Sequence, residues 1–230
     1  MKFDGLIPNE EQRMDDWMDI HDNLNEKTDI GLKPTITISR EYGCEAYPLA
    51  EELAKNLFEL TGEQWNIFDH AVLEKVASNE SISESFLDKL GDKSHFFDIA
   101  MSKHGNTLSQ DEAYQKIISY IIKVSLIGNA IIVGRGSSII SQNFENCFHY
   151  RLVAPLDFRV SSIATRLDLG TEQAEELIKT NEADRADFLD RYFDHAIEDE
   201  NLYHAIFNNE KTPIPQIAKA IEAMVKKIKT

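Results

Sequence analysis

The sequence predicts a three-layer α/β/α domain built on a five-stranded parallel sheet. Three observations lead there. Short runs rich in β-branched and apolar residues alternate with segments whose apolar residues recur at helical spacing, as in strands joined by helical crossovers. One run, Ala130–Val133, is apolar at every position, which suits a strand covered on both faces. Glycine-bearing turns follow two of the strands, Arg40-Glu41-Tyr42-Gly43 and Gly134-Arg135-Gly136, at the carboxyl ends where open parallel sheets bind ligands.

Taken in order, residues 1–30 are acidic and polar, with Met14, Trp17, Met18, His21 and Leu24 forming a helical stripe; one amphipathic helix near 9–24 is expected. The β-branched stretch 35–39, preceded by Pro34, reads as the first strand. Leu49, Leu53, Ala54 and Leu57 place a helix over about 45–60. Residues 65–68 form a second strand ending at Asp69, and helices fill 70–127, the clearest over 111–127 and stopped by Gly128-Asn129. Strands follow at Ala130–Val133, 148–153 and 203–207. Helices at 156–168 and 171–196 separate the last two strands, and a closing helix over 215–228 carries Ile217, Ile221 and Val225 on one side. This organisation gives an extension (1–30) and one domain (31–230), with a helical insertion near 70–127 and a helical lid near 168–200.

Composition narrows the functional classes. The 230 residues are 42% apolar and 28% charged, ordinary for a globular protein. The net charge of −16 argues against nucleic acid, whose backbone is bound by clustered Lys and Arg. The two cysteines, Cys44 and Cys147, form no CxxC pair, which fits a reducing compartment and argues against a disulfide scaffold or a zinc site. The apolar stretches fall far short of the ~20 residues of a membrane span, and the acidic N-terminus resembles no secretory or mitochondrial signal. A cytoplasmic protein is expected. Within this acidic chain, Arg135, Arg151, Arg159, Arg166, Arg185 and Arg191 fall between positions 135 and 191. Such a concentration points to a local anion site, although scattered salt-bridging arginines give the same spacing.

Three segments stand out chemically. The loop and helix start after the first strand, Ser39 to Tyr47, occupy the place where a phosphate-binding loop offers its backbone N–H groups. The GxxxxGK[ST] pattern is missing; no Lys reaches for phosphate and no Ser or Thr follows to hold Mg²⁺, while Glu41 and Glu45 add negative charge. At the third strand's end, Gly134-Arg135-Gly136 sets an arginine between two residues that permit close backbone approach. The alternative there is a structural turn with a salt-bridging arginine. Arg185 and Arg191 lie on a segment crowded with Asp and Glu, a pattern equally natural to a solvated helix laced with i,i+4 pairs.

Together Ile36-Thr-Ile-Ser-Arg-Glu-Tyr-Gly43, Asn66-Ile-Phe-Asp69, Ile131-Ile-Val-Gly-Arg-Gly136, Arg151-Leu-Val-Ala-Pro155 with Arg159, and Asp184-Arg185 resemble the cytidylate kinase-like family, a divergent branch of the P-loop nucleoside-monophosphate kinases. The resemblance runs from about 34 to 228. It implies ATP-dependent phosphoryl transfer to a nucleoside monophosphate, with ATP and Mg²⁺ as cofactors and a small-molecule nucleotide as partner. On that resemblance Ser39, Arg40, Glu41, Tyr42, Gly43, Cys44, Glu45, Ala46 and Tyr47 match the phosphate loop, with Arg40 standing in for its lysine. Asp69, Gly134, Arg135, Gly136, Arg185 and Arg191 match the acceptor and lid positions, with Arg40, Asp69 and Arg185 in the catalytic roles. Asn208 matches an asparagine near the last strand. The sequence names no metal ligand.

The departures open a second hypothesis. Where the family branch commonly reads Gly-Ser-Gly-Gly-Arg, this chain has Gly43-Cys-Glu-Ala-Tyr47-Pro48, and Pro48 removes a donor from the first helical turn. A nucleotide- or anion-binding regulatory module with a degenerate loop and no turnover is therefore the alternative to a phosphotransferase. The amphipathic segment in 1–30 packs either on its own domain or against a second copy, giving a homodimer.

Overall fold

The computed structural model describes residues 33–73, 112–192 and 198–226. The expected N-terminal helix, the bulk of the 70–127 insertion and the stretch 193–196 of the expected lid helix lie outside the described residues. Eleven elements position the site: β1 (Thr35–Arg40), α1 (Ala46–Thr61), β2 (Asn66–Phe68), α2 (Glu112–Ile127), β3 (Ala130–Val133), α3 (Ser137–Ile140), β4 (Cys147–Val153), α4 (Leu156–Leu167), α5 (Thr171–Tyr192), β5 (Ala205–Asn208) and α6 (Ile214–Lys226). The five expected strands are all present. The last starts two residues later than the pattern suggested, because residues 200–202 form a 3-10 turn whose N-cap Asp199 accepts from Asn201 N–H. Periodicity gave no sign of the one-turn helix α3.

The strands form one parallel sheet in the order β2-β3-β1-β4-β5. β1 lies at its centre, with Ile36 paired to Ile131 on one side and Phe148 on the other. The two faces differ sharply. On one, Ile36, Ile38, Ile131, Tyr150 and Leu152 are buried against Leu49, Leu53 and Leu57 of α1 and Ile217 and Ile221 of α6. Each such aliphatic side chain contributes ~1.5–3 kcal/mol by leaving water. On the other face α2 covers Ala130 and Ile132 with Ile118, Ile121 and Ile122. Toward β4 that face turns polar: Thr35 Oγ1 donates to the Ser125 carbonyl (3.1 Å), and Thr37 Oγ1 lies 2.8 Å from Nδ1 of buried His149. This gives the predicted three layers.

Helix boundaries follow local chemistry. α1 ends at Gly62, left-handed at φ 70°, whose N–H returns to the Phe58 carbonyl. α4 ends at Asp168, also left-handed, and packs against α5 through a small cluster of Val160, Ile163, Ala174 and Ile178. Among the described residues no helix is long and apolar enough to cross a membrane.

Candidate functional site

From the centre of the sheet, the chain leaves β1 toward β2, whereas it leaves the neighbouring β3 for β4 on the other side. The carboxyl ends of β1 and β3 therefore flank a topological switch point, where open α/β sheets leave a crevice. A cleft of about 320 Å³ lies there, walled by Ser39, Arg40 and Tyr42 after β1, Gly134 to Ser138 after β3, and Asn181, Asp184, Arg185 and Phe188 of α5.

Arg40 and Gly134 define its floor. A Cβ built on Gly134 would fall 2.1 Å from Arg40 Nη1, so only glycine lets the guanidinium lie there. Gly134, Arg135 and Gly136 are consecutively left-handed, with φ of 82°, 56° and 69°. Such a run costs a β-carbon-bearing residue about 1 kcal/mol or more, and it turns the Arg135 side chain over the Phe188 ring, 5.5 Å from its centroid. Tyr114 of α2 braces this turn: its hydroxyl donates to the Arg135 carbonyl (3.2 Å), and its ring meets Phe188 edge-on at 4.9 Å.

Guanidinium groups dominate the electrostatics. Burial, then the neighbouring Arg135 charge, pull Arg40 below the usual arginine range, with Asp69 partly opposing them. Burial, then Arg40 and Arg151, bring Arg185 down to about 9. Among the described residues neither Arg40 nor Arg185 has a carboxylate within ion-pair distance. Arg159 is the contrast: it is buried and paired, bridging Glu182 (2.5 Å) and Glu41 (3.6 Å) and donating to the Ala154 and Tyr42 carbonyls.

The loop after β1 is tied inward. Glu41, read from the sequence as unwelcome charge beside an anion, accepts from Ala154 N–H (2.8 Å) and faces Arg159. Cys44 N–H closes a turn on the Glu41 carbonyl, and Glu45 N–H goes to Asn209 Oδ1 (2.8 Å). Two N–H groups that a phosphate loop would present are thus already used. Of the nine loop residues only Ser39, Arg40 and Tyr42 line the cleft. Ala46 is buried in the apolar core and Tyr47 stands in the first turn of α1. Burial, then Glu41, push the Cys44 thiol up to about 12, so it is no nucleophile.

Among the acceptor residues, Asp69 uses Oδ1 to cap the turn beginning at His70, accepting from Val72 N–H (3.1 Å). Arg191 lies in α5, with its side chain outside the described residues. Asn208 caps the turn after β5 through Glu210 and Lys211 N–H; its neighbour Asn209 is the one that grips the loop. Sequence reasoning missed Ser137, Ser138, Asn181 and Phe188. The last was legible: positions 181, 184, 185, 188 and 189 form an i, i+3, i+4, i+7, i+8 stripe, and that stripe faces the cleft.

Among the described residues no three His, Cys, Asp or Glu side chains converge as metal ligands, and no Ser or Thr follows the turn of the β1 loop.

The model of the cytidylate kinase-like family matches residues 35–211. The chain belongs to the cytidylate kinase-like family. An uncharacterized protein from Eubacterium ventriosum shares the fold of this cytidylate kinase-like protein, with a TM-score of 0.65 and 17% identity over 85% of this chain and 99% of that one. A shikimate kinase from Bacteroides thetaiotaomicron aligns over 84% and 98% at 14% identity, with a TM-score of 0.44. No curated protein matches the sequence. Membership gives the chain a kinase-like function at the level of class.

Proposed function

We propose that this cytidylate kinase-like protein is a cytoplasmic ATP-dependent phosphotransferase. Its acceptor is a nucleoside monophosphate or a similar small phosphorylated molecule. The observation that carries this is the pair Arg40 and Arg185, partly buried cations at the switch-point cleft with no carboxylate partner among the described residues. Withdrawing unpaired charge from water costs several kcal/mol per ion, and an anionic ligand offsets that cost. Guanidinium forks match phosphate oxygens in pairs.

In this reading Arg135 and Arg185 hold the acceptor phosphate, with Gly134 and Gly136 allowing close approach. Arg40 neutralises charge developing on the transferred phosphoryl group, the main demand of this chemistry. Asp69 fixes the chain beside Arg40 and tempers its charge. Mg²⁺ would enter on the phosphates of ATP and would add to the charge neutralisation there. Helix α5 serves as the lid. Transfer of labelled γ-phosphate from ATP to a panel of nucleoside monophosphates tests the reading. Turnover with at least one acceptor, reduced ~100-fold or more in Arg185→Gln, is expected; no turnover with any acceptor ends it.

The internal bonding of Cys44 and Glu45 N–H favours a second reading, a regulatory module that binds a nucleotide without turnover. Nucleotide binding with no transfer in the same assay supports it. The segment 1–30, with its amphipathic stripe, is proposed to pack on its own domain, with the contact of a homodimer as the alternative; light scattering and a thermal melt on the chain with and without it separate the two.

A further inference from the structure

Arg135 stands in a turn that its own sequence leaves loose. A glycine flanks it on each side and all three residues are left-handed, a conformation that strains a residue with a Cβ and that glycine neighbours do little to enforce. The peptide between Arg135 and Gly136 therefore needs an outside hold, and one side chain supplies it. The Tyr114 hydroxyl, from the first turn of α2, donates to the Arg135 carbonyl at 3.2 Å. The same side chain acts a second time through its ring, which meets Phe188 of α5 edge-on, with centroids 4.9 Å apart and planes at 85°. Phe188 is in turn the ring over which the Arg135 guanidinium lies, 5.5 Å from the centroid. Tyr114 thus fixes Arg135 at both ends, at the backbone directly and at the guanidinium through Phe188. Arg135 and Phe188 line the cleft and Tyr114 does not, so Tyr114 acts on a ligand there only through them.

We infer that Tyr114 is a positioning residue: it aims the Arg135 guanidinium at the acceptor phosphate. The inference rests on Arg135 holding that phosphate in the proposed phosphotransferase, and it adds what sets the arginine's direction. Direction matters because a guanidinium grips phosphate through two parallel N–H bonds, and a fork turned away keeps its charge but loses one of them. Since Phe188 belongs to α5, the aim also depends on that helix lying against the turn.

Inorganic pyrophosphate, titrated calorimetrically into the full chain, is the probe, and a thermal melt accompanies each variant. Tyr114→Phe deletes the hydroxyl and keeps the ring; it is expected to weaken binding ~5–10-fold, the worth of one hydrogen bond, and to move the melting temperature by less than ~3 °C. Arg135→Lys replaces the fork by a point charge that needs no aim, so beside it Tyr114→Phe is expected to change affinity less than ~2-fold. Phe188→Leu removes the platform while leaving the hydroxyl bond, and it is expected to weaken binding and to lose that effect beside Arg135→Lys in the same way. A merely structural tyrosine would weaken binding equally in both backgrounds. That equal loss, undiminished binding in Tyr114→Phe, or wild-type affinity in Arg135→Lys overturns the inference, and so does absence of binding to the wild-type chain. Turnover in the transfer assay with any of these outcomes leaves the phosphotransferase standing without the tyrosine's role. The expected coupling with no turnover refutes the phosphotransferase and leaves Tyr114 positioning Arg135 for a bound phosphate.

Discussion

Arg40 Nη1 occupies the space that a Cβ on Gly134 would need, 2.1 Å away. This contact joins the ends of two neighbouring strands and makes a backbone position part of the cleft's chemistry. Gly134→Ala is therefore predicted to push aside the Arg40 guanidinium, the far end of a flexible side chain, as well as to add left-handed strain. Gly62 is the internal comparison, with φ 70° and nothing within 4 Å of the added carbon. Both substitutions are expected to destabilise by about 1 kcal/mol, and only Gly134→Ala is expected to weaken anion binding. Urea midpoints with unchanged m-values check the first and calorimetry with pyrophosphate the second; undiminished binding in Gly134→Ala would contradict the contact.

Because burial and Arg135 both work against the charged form of Arg40, removing that charge relieves the unliganded protein. Arg40→Met keeps the stem, and it is expected to leave the melting temperature unchanged or raise it by about 2 °C while abolishing pyrophosphate binding. A fall of several degrees in the unliganded melt would make Arg40 a structural residue.

Arg159 behaves oppositely. It joins α4 to the β1 loop and to α5 through Glu41, Tyr42 and Glu182. Arg159→Ala removes the cation shared by Glu41 and Glu182 and the donor to two carbonyls, and is predicted to destabilise by about 2 kcal/mol. Chemical denaturation measures this. A cost below about 1 kcal/mol would mean the bridge contributes no more than an exposed pair.

Stability is predicted to fall on acidification through His149. Burial, then His204, push its pKa from 6.5 down to about 4, and His204 is lowered in the same direction by its own burial. The folded state thus keeps His149 neutral while the unfolded chain takes up a proton below about 6.5. The stabilisation is complete above pH 6.5 and drains away as pH falls toward 4, by up to about 3 kcal/mol for His149. Urea unfolding at pH 7, 6 and 5 reads the slope, and His149→Asn is expected to flatten it. An identical slope in the variant would assign the effect to other groups.

Much of the fold was legible because it rests on periodicity. Ala130–Val133 reads as a doubly covered strand, and the Leu49-Leu53-Leu57 stripe as a core-facing helix. Helix α3 was not legible, since a four-residue turn set by left-handed Gly136 has no period to detect. The site was legible in part. Ser39, Arg40, Gly134, Arg135 and Arg185 do converge, being fixed by strand ends in a parallel sheet. The roles of Glu41 and Glu45 were not, because their partners Ala154, Arg159 and Asn209 are more than a hundred residues away, and only tertiary structure shows that these carboxylates face inward.

The most direct test of the proposed phosphate seat is a crystal structure of the protein with a thiophosphate-bearing nucleotide, located by the anomalous signal of its sulfur. The account predicts a peak in the cleft, with thiophosphate oxygens about 3 Å from the guanidinium nitrogens of Arg40 and Arg185. A peak on the backbone of Glu41–Tyr47, with the arginine cleft empty, would contradict it.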